Sequence, residues 1–410
     1  SFHPWPAAAL PYLGAEAYYP DFLLFFQSEI RRMGSWQAVL SRYLFTPGED
    51  ELLVRLFAGF LHPLIQLMYG VEFGLEAVVA EGLAQAAVHS AEGVGGFLKD
   101  AEELSKEKGG RERVMELIGE VRGDTEVAGA ARGTDANKIR DGVLGRARGA
   151  MVALAARVRV EEGEVEERTA EMFDAAVFVA MAAALVERGK EAKVDFFLMH
   201  HVNASPFFVT INAQDWIPAS AKARLLEWKM RMDLLEYAAR GVPELSAEKL
   251  AAYQPRTPDA GGSLAEIIAR LHDFQDDGHS IKLGRAAVIC HDVCNKYKGK
   301  EWLQIKGEDM WKKVCHLIVD SVKAPGACWV RSAGFHEAWK VGPVVLLRVN
   351  KFGQEADWNR TSRISPQSCD RNELGVRSMA FSGQQDHSTP FLCLHILAQS
   401  IPPRSLRPAL

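Results

Sequence analysis

Five histidines at the ends or breaks of apolar helical stretches are the residues best placed for chemistry: His62, His89, His200, His201 and His279. Neutral imidazoles brought together from several helices make a typical first-row metal site and suit iron, zinc, copper or nickel. Histidine also exchanges protons near neutral pH. Taken singly, each is more simply a core or surface histidine satisfied by a hydrogen bond. Their joint occurrence is the signal. His279 and Lys282 form an H-x-x-K pair whose side chains share one helix face. The plain reading is a solvated lysine on an ordinary turn. The chemical reading makes His279 a metal ligand and Lys282 a catalytic base or, once carboxylated by CO2, an oxygen ligand.

Other polar groups are weaker candidates. Asp276 and Asp277 either orient imidazoles or, more simply, cap a helix. Glu72, Glu76 and Glu81 lack the E-x-x-H pattern of a carboxylate-bridged diiron bundle, so solvated or ion-paired roles are expected. Cys290-His291-x-x-Cys294 has no second matching pair and reads as packing. Two glycosylation-type sequons, at Asn203 and Asn359, would go unused inside a cell. There is no strand-linked G-x-G-x-x-G, P-loop, H-E-x-x-H, G-x-S-x-G or EF-hand loop.

The elements that must position these residues are helical. The stretch 57–89 holds an apolar run opened by His62-Pro63 and closed by His89. Proline fits a first helical turn but not an interior. The expectation is a helix ending near Leu61, a break carrying His62, and one long helix running to about His89. A helix from Pro20 stops at Gly34, another covers Trp36–Tyr43, and Ser263 caps a helix beginning at Leu264. The run Ala175–Val186 is too short for a bilayer span of roughly 20 residues and is expected to be a buried helix. Residues 219–240 read as an amphipathic helix, and 308–323 as a further one. Residues 92–148 are charged and Gly-rich, expected as a mobile insertion of short helices able to cover a site. After about Gly342 periodicity fails. PVVLLRVN reads as a short strand, and 342–410 as a poorly ordered tail.

Composition bounds the rest. The chain has 410 residues and 48% hydrophobic content, ample for a large core. A net charge of −5 signals no strong attraction to nucleic acid or membrane. Six cysteines form no disulfide framework, which points to a reducing, cytoplasmic (intracellular) setting. The class expected is mainly α: a large multi-helix, bundle-like single domain over 18–341, after an irregular segment 1–17.

Five stretches, YPDFLLFFQSEIRRMG, RLFAGFLHPLIQLMYGVEFGLEAVVAEGLAQAAVH, VDFFLMHHVNASPFF, DDGHSIKLGRAAVICHDVC and WVRSAGFHEAW, give the chain a specific resemblance. They occur in the order of the questin oxidase-like family of fungal secondary metabolism and cover most of residues 18–340. The resemblance implies a mainly helical oxygenase acting on polyketide-derived aromatics, including anthraquinone ring opening by Baeyer–Villiger-type oxygen insertion. It implies NADPH for some members, and for others a non-haem iron site of histidines with a carboxylated lysine. Carried over by motif, the metal positions are His62, His89, His200, His279 and Lys282.

The chain departs from that pattern in three places. The family's usual N-terminal histidine-containing region is not matched, Gln66 stands where a second histidine is common, and His336 replaces an aspartate. The ligand set is therefore open. The end of the resemblance at Val341 suggests a gene-model artefact beyond it.

The leading expectation is an Fe(II) enzyme using O2 on an aromatic polyketide, with His201 and Asn203 as further catalytic or substrate contacts. One alternative is an NADPH-dependent Baeyer–Villiger monooxygenase. Another is an inactive, polyketide-binding helical protein. A homodimer is left open.

Overall fold

Proline, glycine and short polar caps divide the chain into helices whose apolar faces meet in one core. The structure, a computed structural model, describes residues 2–185, 189–257 and 262–340. The first helices are α1 (Tyr19–Met33), α2 (Trp36–Leu44), α3 (Glu51–Leu56), α4 (His62–Phe73) and α5 (Glu76–Val88). Then come α6 (Val94–Lys108), α7 (Val114–Gly123), α8 (Thr125–Ala128), α9 (Leu144–Arg146), α10 (Arg148–Ala155) and α11 (Val165–Ala183). The last are α12 (Phe196–Ala204), α13 (Phe207–Asn212), α14 (Ala219–Ala239), α15 (Ala247–Ala251), α16 (Leu264–Ala269), α17 (His279–Cys294) and α18 (Glu308–Lys323). Among the described residues the β structure is a single parallel bridge between Asp195 and Val330. The mainly α expectation therefore holds.

Local chemistry sets several boundaries as expected. α1 ends at Gly34, whose left-handed φ of 80° lets its N–H reach the Ile30 carbonyl. Ser263 caps α16 in a reciprocal box with Glu266.

The stretch after His62 differs from expectation. It is not one long helix but a hairpin, because Gly74 takes φ 66° and turns the chain between α4 and α5. The two helices pack at backbone distance. A Cβ on Gly70 would lie 2.6 Å from the Val79 nitrogen, and one on Gly82 would lie 2.4 Å from the Leu67 Cα. Glycine's missing side chain is therefore the condition for this hairpin. His89 falls just past the end of α5, beside the break that carries His62.

α11 lies deep in the core, buried from Arg168 to Ala183, and packs against α12, α14 and α17. No helix among the described residues is long and apolar enough to cross a membrane. α14 is not amphipathic as expected, since charged residues are buried beside its apolar ones. Lys229 and Arg231 are 0% exposed and Glu236 is 1% exposed. Internal pairs make this tolerable: Lys229 with Asp233, Arg231 with Glu227 and Arg240 with Glu236.

The charged stretch 92–148 is not peripheral, because it places Phe97, Leu98, Leu117, Val121 and Val143 in the core. Cys290, Cys294 and Cys315 are buried free thiols, as the packing reading required. The strand expected at PVVLLRVN and the tail 342–410 lie outside the described residues.

The hairpin predicts opposite effects at two glycines. Gly82→Val drives a side chain into the α4 backbone and should cost about 1–3 kcal/mol. Gly119→Ala, on the open face of α7, should add roughly 0.5–1 kcal/mol. Thermal denaturation should therefore show a lower midpoint for the first variant and a higher one for the second. Equal midpoints would rule out the close packing of α4 on α5.

Candidate metal centre

Two helix starts and the middle of a third helix bring three imidazoles together. His62 opens α4, directly after Gly59, Phe60 and Leu61 with φ of 54°, 56° and 63°. Two non-glycine residues in the left-handed region cost about 1–2 kcal/mol each. This turn is what swings His62 out of the α3 direction, and Pro63 starts the new helix behind it. His89 supports the same turn. Its Nδ1–H donates to the Gln85 carbonyl at 2.6 Å, and its ring leaves no room for a Cβ on Gly59.

His200 lies on α12, whose start is pinned by Asp195. That carboxylate is fully buried and accepts from the backbone N–H groups of Phe197, Leu198 and Ala333 at 2.8, 3.2 and 2.7 Å. Burial pushes the Asp195 carboxyl up, against the pull of Arg240 and these amides. The Phe196 N–H adds a bond to the Val330 carbonyl at 2.8 Å. The motif CWVRSAGFHEAW thus acts as a clamp on the helix that carries His200.

His279 opens α17 after Gly278, which takes φ 85°. The two aspartates before it divide the roles that the sequence left as alternatives. Asp276 is the cap, accepting from the N–H groups of Gly278 and Ser280 at 2.8 Å each. Asp277 accepts from His279 Nδ1–H and orients the ring.

The Nε2 atoms of His62 and His200 are 2.9 Å apart, and those of His279 and His200 are 3.2 Å apart. All three Nε2 atoms lie within 4.8 Å of one another. His200 Nδ1–H donates to the Phe196 carbonyl at 2.6 Å, so in the neutral ring its Nε2 is an acceptor. The bond to Asp277 fixes the same tautomer at His279. Lone pairs facing each other at hydrogen-bond distance repel unless a proton or a cation lies between them. The donor set fits a first-row transition metal.

Protons are disfavoured here. Burial, then the other cations of the cluster, hold His62 and His200 well below the ordinary value, and His279 is also lowered. Lys282 contributes to all three shifts, and burial lowers its own ammonium against the pull of Asp277 and Asp276. Among the described residues the Lys282 ammonium makes no hydrogen bond or ion pair, while its backbone N–H donates to the Gly278 carbonyl at 3.3 Å. Aromatic rings close the site. Phe196 lies 4.7 Å from His200 and 5.3 Å from His279, and Phe60 lies 6.0 Å from His200.

The structure thus groups His62, His200 and His279, with Lys282 beside them. His89 stands outside the group, behind Gly59. His201 faces away into a second polar cluster, where its Nδ1 is 2.5 Å from Asp233 Oδ1. Asn203 donates to the Met199 sulfur. Glu72 pairs with Arg285, as the ion-paired reading of these carboxylates anticipated, whereas the half-buried Glu81 accepts instead from the neutral Gln66 amide. Sequence reading missed Asp233, Glu236, Arg240 and Phe60. The α14 residues looked like ordinary helix-surface charges, and nothing in the string FAGFLH signals a left-handed turn.

The depressed imidazoles make stability depend on pH. Folded values lie below the ordinary 6.5, so the unfolded chain binds more protons as pH falls. Stability is therefore complete above about pH 6.5 and declines below it, by up to about 1.4 kcal/mol per pH unit for each histidine. The melting temperature of metal-free protein should fall between about pH 7 and pH 5, and His200→Gln should flatten that slope. An unchanged slope in the variant would mean that His200 is not held neutral.

A family profile described as "Questin oxidase-like" matches residues 5–287. The Baeyer-Villiger oxidase ptaJ of Pestalotiopsis fici is 35% identical over 347 residues, which is 82% of this chain and 77% of that protein. The questin oxidase of Aspergillus fumigatus is 37% identical over 348 residues, 81% of this chain and 76% of that protein. The oxidoreductase AflY of Aspergillus parasiticus is 36% identical, with 85% of this chain and 72% of that protein covered. With the profile spanning most of its length and relatives of this similarity, the chain belongs to the questin oxidase-like family of oxidoreductases.

Proposed function

We propose that this chain is an oxygenase that inserts oxygen into, or cleaves a ring of, an anthraquinone-type polyketide, at an Fe(II) centre held by His62, His200 and His279. The single observation that supports it most is the convergence of three Nε2 atoms within 4.8 Å. Iron(II), when bound, supplies redox chemistry toward O2. Relatives named Baeyer-Villiger oxidase and questin oxidase support the oxygen-inserting class and the aromatic substrate. Insertion of one oxygen atom with release of the other as water needs two electrons and two protons. NADPH is the reductant this reading assigns.

The chain's own residues have separable tasks. Asp277 holds the His279 ring in the tautomer that presents Nε2. Asp195 and Val330 fix the α12 backbone one turn before His200. Phe196 and Phe60 exclude water from the imidazoles, which keeps them neutral. Lys282, unpaired and lowered by burial, offers an amine nucleophile to CO2. Its carbamate would replace a repelling cation by an oxygen donor of opposite charge, beside three neutral ligands.

The test is metal analysis with oxygen uptake. Protein reconstituted anaerobically with Fe(II) should hold about one iron and consume O2 with a hydroxyanthraquinone panel. Replacing His62, His200 or His279 by alanine should abolish both, and Asp277→Asn should weaken metal affinity roughly 10–100-fold. A chain that binds no iron, or whose O2 uptake survives His279→Ala, contradicts the proposal.

A further inference from the structure

Three successive residues, Ser332, Ala333 and Gly334, are gripped from two sides. Arg240, at the end of α14, donates from Nη1 to the Ser332 hydroxyl at 3.1 Å. Asp195, at the start of α12, accepts from the Ala333 N–H at 2.7 Å. The Gly334 N–H then donates to the Arg240 carbonyl at 2.9 Å. A Cβ on Gly334 would collide with the Gly241 carbonyl oxygen, so the turn seats on the end of α14 backbone to backbone. Ser332 takes φ 68°, a left-handed conformation that a non-glycine residue keeps only where its surroundings hold it there.

Arg240 is 2% exposed and has further contacts. Its Nε lies 2.9 Å from Glu236 Oε1, and its guanidinium stacks on the Phe197 ring at 4.0 Å. Its charge also reaches Asp195. Burial pushes that carboxyl up, and Arg240 is the cation that pulls it back. The nearby Lys193 ammonium is spent on the Ser321 and Ala324 carbonyls at 2.7 and 2.9 Å, and Arg331 lies over Phe196 at 4.3 Å.

The ionic form of Asp195 matters because all three of its described partners are N–H donors, from Phe197, Leu198 and Ala333. A protonated carboxyl would turn one of its acceptors into a donor. The first turn of α12 would then lose its cap. The carbonyl of that turn, Phe196 O, is what accepts from His200 Nδ1–H at 2.6 Å. A continuous chain of contacts therefore runs from the end of α14 to the imidazole.

We infer that Arg240 is a positioning residue for His200, acting through the Asp195 carboxylate and the turn at 332–334. It rests on the metal reading above only for what His200 is positioned to bind.

Hydrogen–deuterium exchange of the metal-free full chain tests it, with the amides of α11 as internal reference. Arg240→Met should speed exchange of the α12 amides about tenfold relative to α11, and Arg240→Lys, which keeps the charge, should stay within about threefold of the parent. In an Asp195→Asn background, Arg240→Met should add less than about twofold, because the carboxylate it serves is gone. Co(II) binding is the second readout. Its affinity should fall about tenfold in Arg240→Met and in Asp195→Asn, with no further loss in the double variant. Equal acceleration of α11 and α12, a full effect of Arg240→Met in the Asp195→Asn background, or parental Co(II) affinity in Arg240→Met overturns the inference. A parent chain that binds no Co(II) removes the metal reading and leaves the exchange rates to decide this one.

Discussion

Three imidazoles are held against one another at buried helix positions, two of them, His200 and His279, with their Nε2 lone pairs face to face. That is the constraint on which the rest of this structure depends. Left alone, the His200 and His279 lone pairs 3.2 Å apart repel, whereas a proton on His62 Nε2 bridges it to His200 at 2.9 Å, and the chain must hold the first pair by force of its backbone. It does so three times in different ways. A left-handed turn at Phe60 and Leu61 delivers His62, a buried aspartate anchors the His200 helix, and an Asp276 cap with an Asp277 bond sets His279. Each device orders a helix start rather than a loop, so the ring positions inherit the stiffness of the helices behind them.

The same problem, buried charge needing a partner, is solved differently next door. α14 runs through the core with Lys229, Arg231, Asp233 and Glu236 on it, and each is tied within its own helix or to a backbone carbonyl. His201 and His200 are neighbours in sequence but belong to these two different systems. One faces a carboxylate and keeps its proton partner, whereas the other faces two more imidazoles. Phe60 and Phe197, with rings 4.8 Å apart, form the apolar wall between them. A low-dielectric partition lets the two polar clusters keep separate electrostatics over a short distance.

Much of this was legible in the sequence, and the reasons differ from residue to residue. Helix starts and stops at Gly34 and Ser263 follow from local backbone chemistry, which is why they read correctly. The His62-Pro63 break was legible because proline has one helical position it prefers. The hairpin at Gly74 was not. A glycine inside an apolar run is compatible with either a helix or a turn, and only the contacts of Gly70 and Gly82 with the partner helix decide. His89 carried the same signal as His62, yet its ring packs on Gly59 instead of joining the group. Residue type and helix-end position do not encode which way a ring points. The buried charges of α14 were invisible for a related reason. The i, i+4 pairing of Lys229 and Asp233 looks the same on a solvated face as in a core.

The account's central claim is that the three Nε2 atoms form one metal site. Crystals grown metal-free and then exposed anaerobically to Fe(II) would decide it by anomalous scattering at the iron edge. The account predicts a single strong peak enclosed by the Nε2 atoms of His62, His200 and His279. A peak elsewhere, or imidazoles that keep their mutual contacts with no iron between them, would contradict it.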